Sequence, residues 1–186
     1  MQFYDFENSI GVIINTVAKA FVKALDSELR ENVGVTIGQW KVMVMLVRQN
    51  GLTQKEIADR LSLEGPTLIP VIDKMEKDGL VIRKVDLADR RNNRIYRTEK
   101  ADALWDEMFK RAMRVRQYSV KNITENEIQI TKSALEKMLQ NLRLEYDVEY
   151  NHSCADVVGA STKTGSVPKV TVATDTRSSA GKNQNS

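Results

Sequence analysis

The sequence predicts a mainly α fold that carries one small β-hairpin. Three observations lead there. Apolar residues recur at three- and four-residue spacing in successive stretches before residue 147. Thr-x-x-Gln/Glu capping boxes occur three times, at Thr36–Gln39, Thr53–Glu56 and Thr124–Glu127, each directly before such a stretch. A single pair of short β-rich runs, Val81–Val85 and Arg94–Thr98, flanks a polar segment.

Each element follows in chain order. Phe6, Ile10, Ile13, Ile14, Val17, Phe21, Leu25 and Leu29 form one apolar stripe, so residues 3–29 predict a first helix. Thr36 caps a second, with Trp40, Met43, Val44 and Val47 on its apolar side and a stop at Asn50-Gly51. Thr53 opens a short third helix through Ile57, Ala58 and Leu61. After the turn at Ser62–Gly65, Pro66 suits the first turn of a fourth helix, where a missing N–H costs nothing. Leu68, Val71, Ile72 and Met75 mark its inner face, and Asp78-Gly79 closes it. The hairpin comes next. Thr98 then caps a fifth helix bearing Leu104, Trp105, Met108, Phe109, Ala112 and Val115, and Thr124 opens a sixth with Ile128, Leu135, Met138, Leu139, Leu142 and Tyr146. Residues 151–186 hold eleven Ser or Thr and no Leu, Ile, Met or aromatic residue, so a disordered tail is expected there.

Composition narrows the function. A chain of 186 residues suits one domain with a small appendage. One Cys (Cys154) and one His (His152) cannot build a structural zinc site or a disulfide framework. No Gly-rich phosphate loop or convergent carboxylate cluster is visible, so an enzyme is not expected, and no catalytic residue, metal site or cofactor is assigned. The longest apolar run, Val42–Val47, is far short of the roughly 20 residues that cross a bilayer. The first ten residues lack a basic region before an apolar one, so a cytoplasmic protein without a membrane partner is expected.

Charge is more informative in its distribution than in its total. Twenty-eight Lys and Arg against 25 Asp and Glu leave the chain near neutral, whereas residues 83–97 alone hold six cations and two acids. A third helix, a tight turn, a fourth helix and a basic hairpin make a winged helix-turn-helix, with the fourth helix entering the major groove of DNA. With the apolar set turned inward, that helix presents Pro66, Pro70, Asp73, Lys74 and Lys77, with Thr67 at the edge. Taken alone these lysines would be a solvated face; beside the hairpin they read as phosphate contacts. The expected DNA-binding set is Gln54, Pro66, Thr67, Lys74, Lys77, Arg90, Arg91, Asn92, Asn93 and Arg94. Asp73 would repel phosphate unless a cation holds it, so an Asp73–Arg91 pair that sets the angle of the wing is expected.

Residues Val35 to Thr98 resemble the MarR family of transcription regulators. The stretches that carry the resemblance are Gln39–Met43 with Gly51–Ala58, then Gly65–Leu68 with Asp73–Val81, and the wing motif Asp86…Asp89-Arg90-Arg91. The resemblance implies an obligate dimer, with the first, fifth and sixth helices interleaved between subunits, and a small-molecule pocket between that base and each winged lobe. It also places Asp73 and Arg91 at the wing-bracing positions. Pro70 stands where many members have arginine, Arg97 where leucine is common, and the first helix lacks the cysteine through which some members sense oxidants.

The expected organisation is therefore a helical dimerisation region (residues 1–34 and 99–150), a winged helix-turn-helix lobe (35–98) and the tail. The dimer has its own physical argument, because the first helix is apolar around much of its surface (Phe6, Ile10, Val12, Ile13, Ile14, Val17, Phe21, Val22) and needs a partner. Expected partners are double-stranded DNA with a pseudo-palindromic operator, a second copy of the chain, and a small-molecule effector. Ile14, Trp40, Val44 and Phe109 are the candidate effector residues, as an apolar cleft between the first, second and fifth helices. The expected function is a ligand-responsive repressor. The alternatives are a winged-helix module for protein contacts and an architectural DNA-binding protein without an effector.

Overall fold

The computed structural model describes residue 5 and residues 9–87, 89–90 and 92–146. Six helices and three strands occur among them: α1 (Ile10–Val33), α2 (Ile37–Arg48), β1 (Leu52–Thr53), α3 (Gln54–Leu61), α4 (Gly65–Lys77), β2 (Val81–Val85), β3 (Asn93–Arg97), α5 (Glu99–Ser119) and α6 (Glu125–Tyr146). Phe6 and the 151–186 tail lie outside the described residues.

The expected caps are all present. Thr36 accepts from the Gln39 amide while the Gln39 side chain accepts from the Thr36 amide at 2.8 Å. Thr53 and Glu56 repeat the arrangement, and so do Thr124 and Glu127. These bonds answer amides that lack an intrahelical partner, each cap contributing on the order of 1 kcal/mol. The backbone amide of Thr53 holds the Glu56 carboxyl below its usual range, and the Thr124 hydroxyl does the same for Glu127.

Several boundaries differ from expectation. The first helix continues four residues further, to Val33, because Gly34 adopts the left-handed conformation (φ 75°) and donates its amide to the Arg30 carbonyl. Helix α4 starts at Gly65, which makes Pro66 its second residue. Strand β3 begins at Asn93 and stops at Arg97, leaving Thr98 to cap α5 through the Ala101 amide. The two-residue strand β1 was not anticipated; it pairs Leu52 with Ile95 and Thr53 with Arg94, giving an antiparallel sheet in the order β1-β3-β2.

The core spans the lobe, the C-terminal half of α1 and the N-terminal half of α5. Leu25 and Leu29 from the last turns of α1 join Val42, Met43, Met45 and Leu46 of α2, Ile57 of α3, Leu68, Ile72 and Met75 of α4, Val81 and Ile95 of the sheet, and Ala101 and Met108 of α5. Fully burying one such large side chain stabilises the fold by about 1.5–3 kcal/mol. The first half of α1 and all of α6 contribute no buried residue.

The lobe is fastened to α1 by polar contacts as well. Asp26 of α1 accepts from the first amide of α2, Ile37, at 2.7 Å, and from Arg30. The Ile37 amide holds the Asp26 carboxyl below its usual value. Gln39, buried in α2, donates to Asp78 at the end of α4, and Lys100 of α5 donates to the Asp78 carbonyl at 2.7 Å. Arg111 and Arg114 of α5 both reach Glu28 of α1.

Candidate nucleic-acid interface

Helix α4 turns the expected face outward. Leu68, Ile72 and Met75 are fully buried and Val71 half-buried, while Pro66, Thr67, Pro70, Asp73, Lys74 and Lys77 are exposed. Gln54, half-buried, opens α3 and lines a hollow with Pro66 and Ile69. Pro70 has no N–H to donate back to Pro66, a loss that is tolerable on a solvent-facing side.

The wing is a five-residue antiparallel ladder, from Val81 opposite Arg97 to Val85 opposite Asn93. At its tip the Asn92 amide donates to the Asp89 carbonyl and the Asp86 amide to the Asn92 carbonyl, both at 2.9 Å. Arg90 and Asn93 are exposed there, and the Asn92 side chain donates to Asp89. Arg91 lies outside the described residues.

Asp73 has the cation that its position demands, and that cation is Arg83 on β2. The two meet at 2.5 Å, and the same guanidinium bonds Glu76 one turn further along α4. Burial works against the charge of Arg83, but the hydrogen bonds it donates to Asp73 and then Glu76 outweigh that and raise its pKa. The root of the wing is thereby bonded to the middle of α4. Arg83 was counted in the basic run but not chosen as the brace; strand alternation, which turns it to the α4 side with buried Ile95, was the available signal.

Arg94 has a different place from the one expected. Its guanidinium pairs with buried Asp86 at 2.7 Å and donates to the Gly51 carbonyl at 2.9 Å, tying β3 to the loop after α2. The Asp86 hydrogen bond raises its pKa. The loop can come this close because Gly51 has no side chain: with φ 81°, a Cβ there would stand 2.7 Å from the Tyr96 ring. Tyr96 in turn carries Lys84 over its face. Arg97 bonds Asp102 at the start of α5, and Lys74 pairs with Asp78 at 2.5 Å. Lys77 and Arg90 have no ion pair among the described residues.

Two of the four candidate effector residues, Trp40 and Phe109, are linked through a third aromatic ring. Trp40 stacks on Trp105 at 5.2 Å with the rings 8° apart, and Trp105 leads on to Phe109 at 6.2 Å. Trp105, noted in the sequence only as part of a helical stripe, is the link. Trp40 and Val44 pack on the core, Ile14 is half-buried and Phe109 is half exposed. A cleft of about 650 Å³ lies instead between α1 and α5, lined by Val17, Phe21, Glu28, Arg114, Val115 and Tyr118 among others. None of the four lines it.

Comparison with known proteins settles the lineage. Residues 35–92 match the model of the MarR family. The HTH-type transcriptional regulator YwoH of Bacillus subtilis (strain 168) is 32% identical over 95 residues, which cover 51% of this chain and 68% of YwoH. The chain belongs to the MarR family.

Two further likenesses agree. The HTH-type transcriptional regulator TtmR of Methylorubrum extorquens (strain PA1) is 35% identical over 104 residues, covering 56% of this chain. That match spans about half of TtmR, 53%. The crystal structure of the transcriptional regulator PA3341 superposes with a TM-score of 0.63 at 32% identity, over 74% of this chain and 100% of that one. MarR proteins are transcriptional regulators and not enzymes. No helix among the described residues is long and apolar enough to cross a membrane.

Proposed function

We propose that this MarR-family chain is a homodimeric, sequence-specific DNA-binding repressor whose grip on its operator is released by a small ligand. The observation that carries the DNA reading is the outward face of α4, held at a fixed angle to a basic wing by the Asp73–Arg83–Glu76 contacts. Lys74, Lys77, Thr67, Gln54 and Arg90 supply phosphate and base contacts, and Arg91, Asn92 and Asn93 complete the tip. Arg94 serves from inside, by stiffening the hairpin that presents them. The dimer reading is supported by Ile10, Ile13 and Val17 of α1 and Ile130, Leu135 and Leu142 of α6, all exposed in one protomer. Water-facing apolar surface on that scale marks an interface.

A two-fold dimer calls for a pseudo-palindromic operator with half-sites about 10 bp apart or a multiple of it. The test is selection from a random DNA pool at about 150 mM salt, with the wild type beside Arg90→Ala/Arg91→Ala. A palindrome enriched by the wild type and lost in the variant is the expected result. If each subunit neutralises about four phosphates, log K against log salt should slope near −7; a slope shallower than about −2 contradicts the model.

The effector reading is supported by the α1/α5 cleft, which combines an apolar wall with Arg114 and Glu28 at its edge. CouR of Rhodococcus jostii RHA1, which shares the fold at a TM-score of 0.63 and 22% identity, has been solved bound to p-coumaroyl-CoA. Each tenfold release from DNA requires the ligand to prefer the DNA-incompetent arrangement by about 1.4 kcal/mol.

A further inference from the structure

We propose that the first two turns of α4 recognise thymine through its C5-methyl group, with Pro66, Ile69 and Pro70 as the contacting side chains. The inference rests on the DNA-binding reading above and specifies which base edge the helix recognises.

From Gly65 to Pro70 the exposed side chains are Pro66, Thr67, Ile69 and Pro70. Guanine is ordinarily read by Arg or Lys bonding O6 and N7, and adenine by Asn or Gln bonding N6 and N7. The segment contains none of these. Lys74 and Lys77, four and seven residues beyond Pro70, are about 6 and 10 Å further along the helix axis, where they serve as phosphate contacts. Asp73 is held by Arg83. The part of α4 that enters a groove first is therefore apolar.

Ile69 makes that surface unusual. It is 47% exposed, although its neighbours Leu68 and Ile72 are fully buried. At 100° per residue, Ile69, Pro66 and Pro70 span an arc of about 100° on the outward side, so they form one strip rather than scattered contacts. In the major groove the apolar feature a strip of this kind can cover is the thymine methyl. The proline rings suit the task, because they have almost no side-chain freedom to lose on contact.

Charge complementarity identifies the occupant. Lys77 lies beyond one end of the strip and Arg90 projects from the wing, both without an ion pair among the described residues. An apolar strip continued along the helix by a cation, with a basic wing bonded to the same helix, matches a floor of base edges beside a row of phosphates. Thr67, on the far edge, adds a hydroxyl for a base or phosphate.

The test uses the operator selected by the wild-type protein. Each thymine of a half-site is replaced singly by deoxyuridine, which keeps every hydrogen-bonding group and removes only the methyl. At one or two positions per half-site, Kd should rise about three- to fivefold, the worth of one buried methyl. Ile69→Ala should lose that discrimination while its melting temperature stays within a few degrees of the wild type, since the side chain lies outside the core. If fully uracil-substituted half-sites bind as well as the thymine ones, methyl recognition is overturned and sequence-specific binding stands. Undiminished uracil discrimination in Ile69→Ala would overturn the assignment of the contact to this strip. If no sequence is enriched at all, the DNA-binding reading itself fails.

Discussion

The winged lobe and the helical base of this chain are built to different degrees of completion. In the lobe, α2, α3, α4 and the sheet close around one buried cluster, and its charged groups are matched across elements: Arg83 with Asp73 and Glu76, Arg94 with Asp86. In the base, α6 has no buried residue and α1 leaves Ile10, Ile13 and Val17 in water. One region satisfies itself within a protomer and the other does not. The same hydrophobic periodicity therefore has two meanings, an internal core in one stretch and, in the other, an exposed apolar surface that the proposed dimer would cover.

The strongest way to break this comparison is to damage each side and compare what fails. Leu46→Ala, at a site with no exposure, should cost about 2–5 kcal/mol in denaturant unfolding and impair the lobe as a whole. Leu135→Asp in α6 should instead leave the lobe folded by circular dichroism and near-wild-type in a protomer-level melt, while sedimentation shifts toward monomer and operator affinity falls steeply. If Leu135→Asp unfolds the lobe, the two regions are not separable in the way described.

Smaller effects sharpen the contrast. Thr53→Ala removes the hydroxyl that caps α3 at the Glu56 amide, leaves the Thr53 amide bonded to the Glu56 carboxylate, and should lower unfolding free energy by about 1 kcal/mol. Asp26 gives a pH signature. Its carboxyl is held below the ordinary value of 3.8, so its stabilising contribution is complete above that pH and is lost as pH falls through the lowered value. Asp26→Asn should accordingly flatten the stability curve below about pH 4 and leave its neutral-pH shape alone, as measured by urea midpoints across an acid series. Smallest is Asp73→Asn: the pair is largely at the surface, so unfolding should change by less than about 1 kcal/mol, whereas the wing's contribution to operator affinity should fall.

How much of this was legible in the sequence depended on how local each cause was. The capping boxes and the buried face of α4 depend on residues a few positions apart, and both stood in the sequence, as did the presence of a hairpin though not its register. The contact of Arg83 with Asp73, and the inward turn of Arg94, depend on contacts between elements, with Gly51 lying 43 residues from Arg94. Sequence spacing contains no such information until the strands are paired. Helix α1 ran past its expected end because its last turn, beyond the stripe that ends at Leu29, is closed by Gly34. The α1/α5 cleft was not singled out because helical spacing marks core and cleft residues alike, and only the packing of α1 on α5 distinguishes them.

The Asp26–Ile37 hydrogen bond, with Gly34 just before it, makes an elbow of the junction between α1 and α2. With 24 residues, α1 is an arm about 36 Å long, and a turn of about 5° at such an elbow displaces its far end by about 3 Å. That is close to the rise of one base pair. In the dimer and DNA complex proposed above, such a turn would move the lobe by about one step of the DNA ladder relative to the far end of α1, and the Asp26–Ile37 hydrogen bond spans the joint where that angle is set.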